Sequence, residues 1–178
     1  MKPAVGIRSV LAALLLVSAT ALPVHATVAV GDALPAAIVR DWQGQPVNLA
    51  DLRGNVVVID FWASWCAVCR QALPSLDAIA QRYVGAPVVF VGINIDKARP
   101  PADRFLAAYM PATTLRLLHD PDGAVLARFG AEGMPAIYVV DPQGIVRFAE
   151  SGYAPERLTA VDHVVRQYLS QMSGAPAQ

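Results

Sequence analysis

NVVVIDFWASWCAVCRQALPSL, residues 55–76, decides how the rest of the chain is read. Its opening, NVVVIDFW, is an apolar, β-branched run of strand length interrupted by one acid, Asp60. A run without polar alternation marks a central strand covered on both faces. From Cys66 onward the period changes. Cys69, Ala72, Leu73, Leu76, Ile79, Ala80 and Tyr83 recur at three and four, the apolar face of an amphipathic helix. Both cysteines of the chain, Cys66 and Cys69, therefore stand where a buried strand turns into a helix.

Working outward, AAIVRDWQGQPVNLADL reads as a strand, a Gln-Gly turn, a short strand and one helical turn ended by Gly54. Beyond the helix, Gly85 and Pro87 lead into a second buried strand, PVVFVGINID. RPPADRFLAAYM predicts a helix opened by prolines, TTLRLLHD a strand, and GAVLARFG a short helix. PAIYVVD and IVRFAES flank a Pro-Gln-Gly turn and predict an antiparallel hairpin. A last helix opens at Pro155, with Leu158, Val161, Val165, Tyr168 and Met172 on its inner face. Strands alternating with helices indicate an α/β sandwich on a mostly parallel sheet.

Residues 1–26 read as a cleaved secretory signal peptide. Lys2 and Arg8 precede the apolar run of residues 10–24, and VHA supplies a small-residue end at Ala26. That run falls short of the ~20 residues of a spanning helix, and no cysteine directly follows it to carry a lipid. A tail at 27–34, one domain over 35–172 and a frayed end at 173–178 complete the organisation, with a periplasmic location expected. The 14 basic and 14 acidic residues show no basic stripe, which excludes a nucleic-acid partner. Removal of Lys2 and Arg8 leaves the domain mildly acidic.

Four chemistries use a CxxC. As a structural staple it is poor, because closing so short a loop removes little chain entropy. Zinc needs three or four ligands, and His119 and His163 lie far off without ligand spacing. Haem attachment needs His after the second cysteine, where Arg70 stands. A redox pair fits. At the helix start the Cys66 sulfur should meet free backbone N–H groups and the positive dipole end, which favour thiolate. Cys69, one turn on and deeper, can close a bond to it. Cys66 then attacks a disulfide and Cys69 resolves the mixed disulfide. No cofactor is called for.

With these residues in place, the chain resembles the thioredoxin superfamily. DFWASWCAVC is similar to the thioredoxin motif, Pro74 stands where that family interrupts its helix, and GMPAIYVVD resembles the cis-proline segment. The export signal, the leading hairpin and the stretch between GINID and GMP narrow the resemblance to the exported TlpA/ResA/CcmG-like branch. It implies a thioredoxin-like α/β fold: a central mixed sheet flanked by helices, an N-terminal hairpin and a central α/β insertion. It implies that Asp60 is a buried carboxylate taking a proton from Cys69, and that Pro135 is cis and faces the cysteines. Met134 would offer backbone to an extended substrate, and Trp65 would contact it; Trp62 would shield the sulfurs or belong to the core. Glu132 is a weaker proton acceptor. The implied activity is reduction of disulfides in other proteins, for example in cytochrome c maturation. A membrane-bound thiol protein would supply electrons to what is expected to be a monomer.

Ala67 and Val68 depart from the proline or histidine usual between the cysteines. They bring no charge or hydrogen-bonding side chain, so a reducing or intermediate potential is expected rather than that of a disulfide-forming oxidant. A peroxiredoxin-type peroxidase would carry Pro-x-x-x-Thr-x-x-Cys, and Ile59 and Ala63 occupy those places. A copper-binding protein would use the paired thiolates as soft ligands with a distant histidine. A binding module would leave the pair idle.

Overall fold

The computed structural model describes residues 27–174, so the expected signal segment and the last four residues lie outside the described part. Two short strands, β1 (Ile38–Asp41) and β2 (Pro46–Asn48), form the leading hairpin. A 3-10 turn at Leu49–Leu52 follows, and the Asn48 carboxamide oxygen accepts the Ala50 N–H at its start. The remaining order is β3 (Val56–Trp62), α1 (Cys69–Ala80), β4 (Val88–Asn94), α2 (Arg99–Tyr109), β5 (Arg116–His119), α3 (Ala124–Phe129), β6 (Ala136–Val140), β7 (Val146–Ser151) and α4 (Pro155–Met172).

The seven strands form one sheet in the order β2-β1-β5-β4-β3-β6-β7. Only β3–β4 and β4–β5 are parallel; the other four neighbouring pairs are antiparallel. The sheet is thus mixed, as the resemblance implies, and not mostly parallel as the alternation of strands and helices alone predicts. The reason is local: a helical crossover is needed only between parallel strands, and the hairpins at both edges supply antiparallel ones. α2, β5 and α3 form the insertion between β4 and β6.

Every residue of β3 is buried, as its unbroken apolar run requires. One apolar cluster packs α1, α2 and α4 on one face of the sheet; a second, with Val39, Leu49, Ile59, Phe61, Phe129 and Tyr138, covers the other. Residues 27–34 form no named strand, yet they are tied down. The Val28 N–H donates to the Phe129 carbonyl at 3.0 Å, the Leu34 N–H to that of Gly144 at 2.8 Å, and both side chains are buried.

Two differences from the sequence reading concern helices. α1 begins at Cys69, not at Cys66, because 64–68 form turns: the Cys66 N–H reaches the Ala63 carbonyl and the Cys69 N–H that of Cys66. On α4, Val161 and Val165 are buried and Leu158 and Tyr168 pack against the core, while Met172 is exposed. The helix outruns the sheet it covers.

Candidate active site

β3 delivers the chain to the site. Its last residues, Phe61 and Trp62, pair with Ile93 and Asn94 of β4, while Asp60 stands opposite Ile137 of β6. Continued by two residues, that antiparallel register sets Pro135 beside Trp62, next to the turn that carries the cysteines. The Met134–Pro135 peptide bond is cis. Pro135 is buried and its carbonyl accepts the Gly152 N–H at 2.7 Å. Met134, half-buried, packs against the cluster that contains both cysteines.

Cys66 and Cys69 are joined as a disulfide. Cys66 keeps 8% of its surface exposed, whereas Cys69 is fully buried. No side chain caps α1. Instead the Cys69 N–H, already bonded to the Cys66 carbonyl at 3.1 Å, is shared with the Cys66 sulfur at 3.2 Å. Backbone N–H groups and the positive end of a helix dipole beside a sulfur favour its thiolate form. Trp65, beside Cys66, is 67% exposed. Trp62 is wholly buried and packs on Phe105, so it belongs to the core. Pro74 lies inside α1, where it leaves the Arg70 carbonyl without a helical donor.

The Asp60 carboxyl is buried, and its Oδ2 has no hydrogen-bond partner among the described residues. Burial pushes its pKa well above the ordinary carboxylate value. It faces a small space lined by Ala72 and Leu76 of α1, by Pro135 and by Tyr153. That space is about the size of one water molecule. Arg157 also borders it, but its guanidinium is held by the Ser151 carbonyl and lies 3.7 Å from Glu150. Glu132 is exposed and lines a different groove, with Tyr138 and Glu150. The fold thus brings Cys66, Cys69, Asp60, Met134 and Pro135 around one strand end and leaves Glu132 aside.

Sequence reasoning missed the brace beneath the cysteine turn. Asp96, buried just past β4, accepts the Ser64 N–H and O–H at 3.0 Å each and Asn94 Nδ2 at 2.9 Å. Its own carbonyl meets His119 Nε2 at 2.7 Å, so that histidine is engaged under Trp42. Among the described residues, no three His, Cys, Asp or Glu groups stand together as metal ligands. The signal was available in the run INID, whose two polar residues alternate with apolar ones where a buried strand ends.

A family model described as AhpC/TSA family matches residues 30–149. The chain belongs to the AhpC/TSA family. Within it the protein is a thioredoxin-like thiol–disulfide oxidoreductase. It is 26% identical to the thiol-disulfide oxidoreductase ResA of Geobacillus thermodenitrificans over 120 residues, 67% of this chain and 68% of that one. Identity to the thiol:disulfide interchange protein DsbE of Allochromatium vinosum is 36% over 101 residues, 57% of this chain and 54% of that one. Among solved structures, a candidate thiol:disulfide interchange protein DsbE from Chlorobium tepidum superposes with a TM-score of 0.74 at 30% identity. That match covers 80% of this oxidoreductase and 99% of the Chlorobium chain.

Proposed function

We propose that this oxidoreductase works outside the cytoplasm as a reductant of disulfides in other proteins. Cys66 attacks a client disulfide, and the client sulfur it displaces leaves as a thiolate. Cys69 then attacks Cys66 in the mixed disulfide, closes the Cys66–Cys69 bond and releases the second client thiolate. Asp60, through the one-water space in front of it, accepts the Cys69 proton during that second step. Met134, ahead of Pro135, offers backbone to an extended client segment, and Trp65 lies against it. The observation that carries the reading is the asymmetry of the pair: Cys66 is the more accessible sulfur, at 8% exposure, and accepts a backbone N–H, while Cys69 is fully buried.

The basic start and short apolar run of residues 1–26 support export by a cleaved signal peptide, and no helix among the described residues is long and apolar enough to cross a membrane. A mature monomer would comprise the 27–34 segment, the domain at 35–172 and a short C-terminal tail. A membrane-bound thiol protein would return it to the dithiol. The relatives named ResA and DsbE support a client class in cytochrome c maturation only through the resemblance described above.

The reduction potential of the pair, set by equilibration against dithiothreitol or glutathione, tests the direction of flow. A reductant should lie near thioredoxin, about −270 mV; a value near about −120 mV would make the protein an oxidant instead. Cys66→Ser should abolish insulin reduction.

A further inference from the structure

An open groove runs beside the cysteine turn. Ser64 and Arg70, which bracket the cysteine pair in the chain, line one side; Pro101, Arg104, Phe105 and Tyr109 of α2 line the other. It is separate from the space in front of Asp60. Its charge is one-sided. Arg70 and Arg104 are exposed, and neither enters an ion pair among the described residues.

The nearby acids are engaged elsewhere. Asp103 takes Trp42 Nε1 at 3.0 Å and Arg99 at 3.1 Å. Asp96 is buried under Ser64. On a domain with more acids than bases, the groove is a local island of positive charge. Apolar surface adjoins it: Tyr109 is 47% exposed, and Trp65 and Val68, on the same turn as Cys66, are 67% and 46% exposed.

We propose that this groove receives an acidic segment of the client polypeptide flanking the cysteine that Cys66 attacks. Arg70 and Arg104 hold its carboxylates, and Phe105 and Tyr109 cover its apolar carbons. The inference rests on Cys66 being the attacking sulfur. Rim charges of this kind act on encounter rate and on the choice of partner, so their signature is a preference among clients.

Two peptides test it, identical except for glutamates or lysines around one cysteine carried as a pyridyl disulfide. Each is mixed with the Cys69→Ser variant. The Cys66 thiolate attacks the peptide sulfur and forms a Cys66–peptide disulfide; the bond between the peptide sulfur and the pyridylthio sulfur breaks, and its electron pair leaves on that sulfur as thiopyridone, whose absorbance is followed. At low salt the glutamate peptide should react about tenfold faster, with the preference shrinking as salt rises. Arg104→Glu in that background, which leaves Arg70 facing one acid, should bring the ratio close to one, and Arg104→Lys should keep its direction. Arg116→Glu, the same change of charge on β5 outside the groove, should leave the ratio as it was. Equal rates for the two peptides, or an unaltered ratio in Arg104→Glu, would overturn the groove assignment alone. Absence of thiopyridone release with either peptide would instead take down the attacking-sulfur reading and the groove with it.

Discussion

At the residue scale the most informative group is Asp60, a carboxyl in the middle of a sheet with no cation paired to it among the described residues. Its pKa is raised well above the usual 3.8 by burial alone. Between the unfolded pKa and the raised folded one, the native state holds a proton that the unfolded chain has lost. Stability contributed at this position is therefore intact below about pH 4 and declines as pH rises towards the folded value. Asp60→Asn, uncharged and nearly isosteric, should be more stable than the parent at neutral pH and equal to it at about pH 3, as read by urea unfolding. A variant no more stable than the parent at neutral pH would mean that the carboxyl is solvated in the fold. The same variant should slow resolution of a trapped mixed disulfide by about a hundredfold, the lower range for a lost general base. The cysteines were legible from spacing, since a staple gains little from so short a loop and zinc and haem each lacked a required residue. Asp60 was legible only through the family resemblance, because an acid within an apolar run does not announce whether it finds a partner.

At the scale of elements, α1 owes its position to more than its apolar stripe. Asp77 lies on the buried side of that helix, between Leu76 and Ile79, where the spacing of apolar residues showed nothing polar to be needed. Its Oδ1 accepts Thr113 Oγ1 at 2.9 Å, the Thr114 N–H at 2.8 Å and Thr114 Oγ1 at 2.9 Å. The carboxylate thus fastens the end of α1 to the segment that leads into β5. Asp77→Ala would strand the Thr114 N–H and both hydroxyls, and should lower unfolding free energy by about 2–3 kcal/mol in urea. A loss within about 0.5 kcal/mol would mean that water replaces the clasp. The contrast with Asp60 is instructive: two buried acids on adjoining elements, one saturated with donors and one without. Partners 36 and 37 residues away in the chain decide between them, and no local pattern carries that information. Element boundaries behaved similarly. Strand lengths followed from apolar runs, but α1 begins three residues late because the backbone bonds of the cysteine turn close before the helix does.

At the scale of the whole molecule, the segment 27–34 is fastened to the domain at two places: Val28 bonds to the end of α3, and Leu34 to the β6–β7 turn. A chain beginning at Ala36 should lose the burial of both side chains, about 3–5 kcal/mol against one beginning at Thr27. Urea midpoints of the two chains, read with a common slope, would check it; coincident midpoints would show the segment to be dispensable. The sequence by itself determined the class of fold, the order of its elements and the chemistry of the cysteine pair. These follow from periodicity, turn residues and ligand counts, which are properties of neighbours in the chain. Tertiary structure alone decided that the sheet is mostly antiparallel, and that residues 27–34 are fastened to the domain. It also decided that Asp96 braces the cysteine turn, and that Arg70 and Arg104 face one groove. Each of these depends on which groups meet across the sheet or between helices, where distance in space is unrelated to distance along the chain.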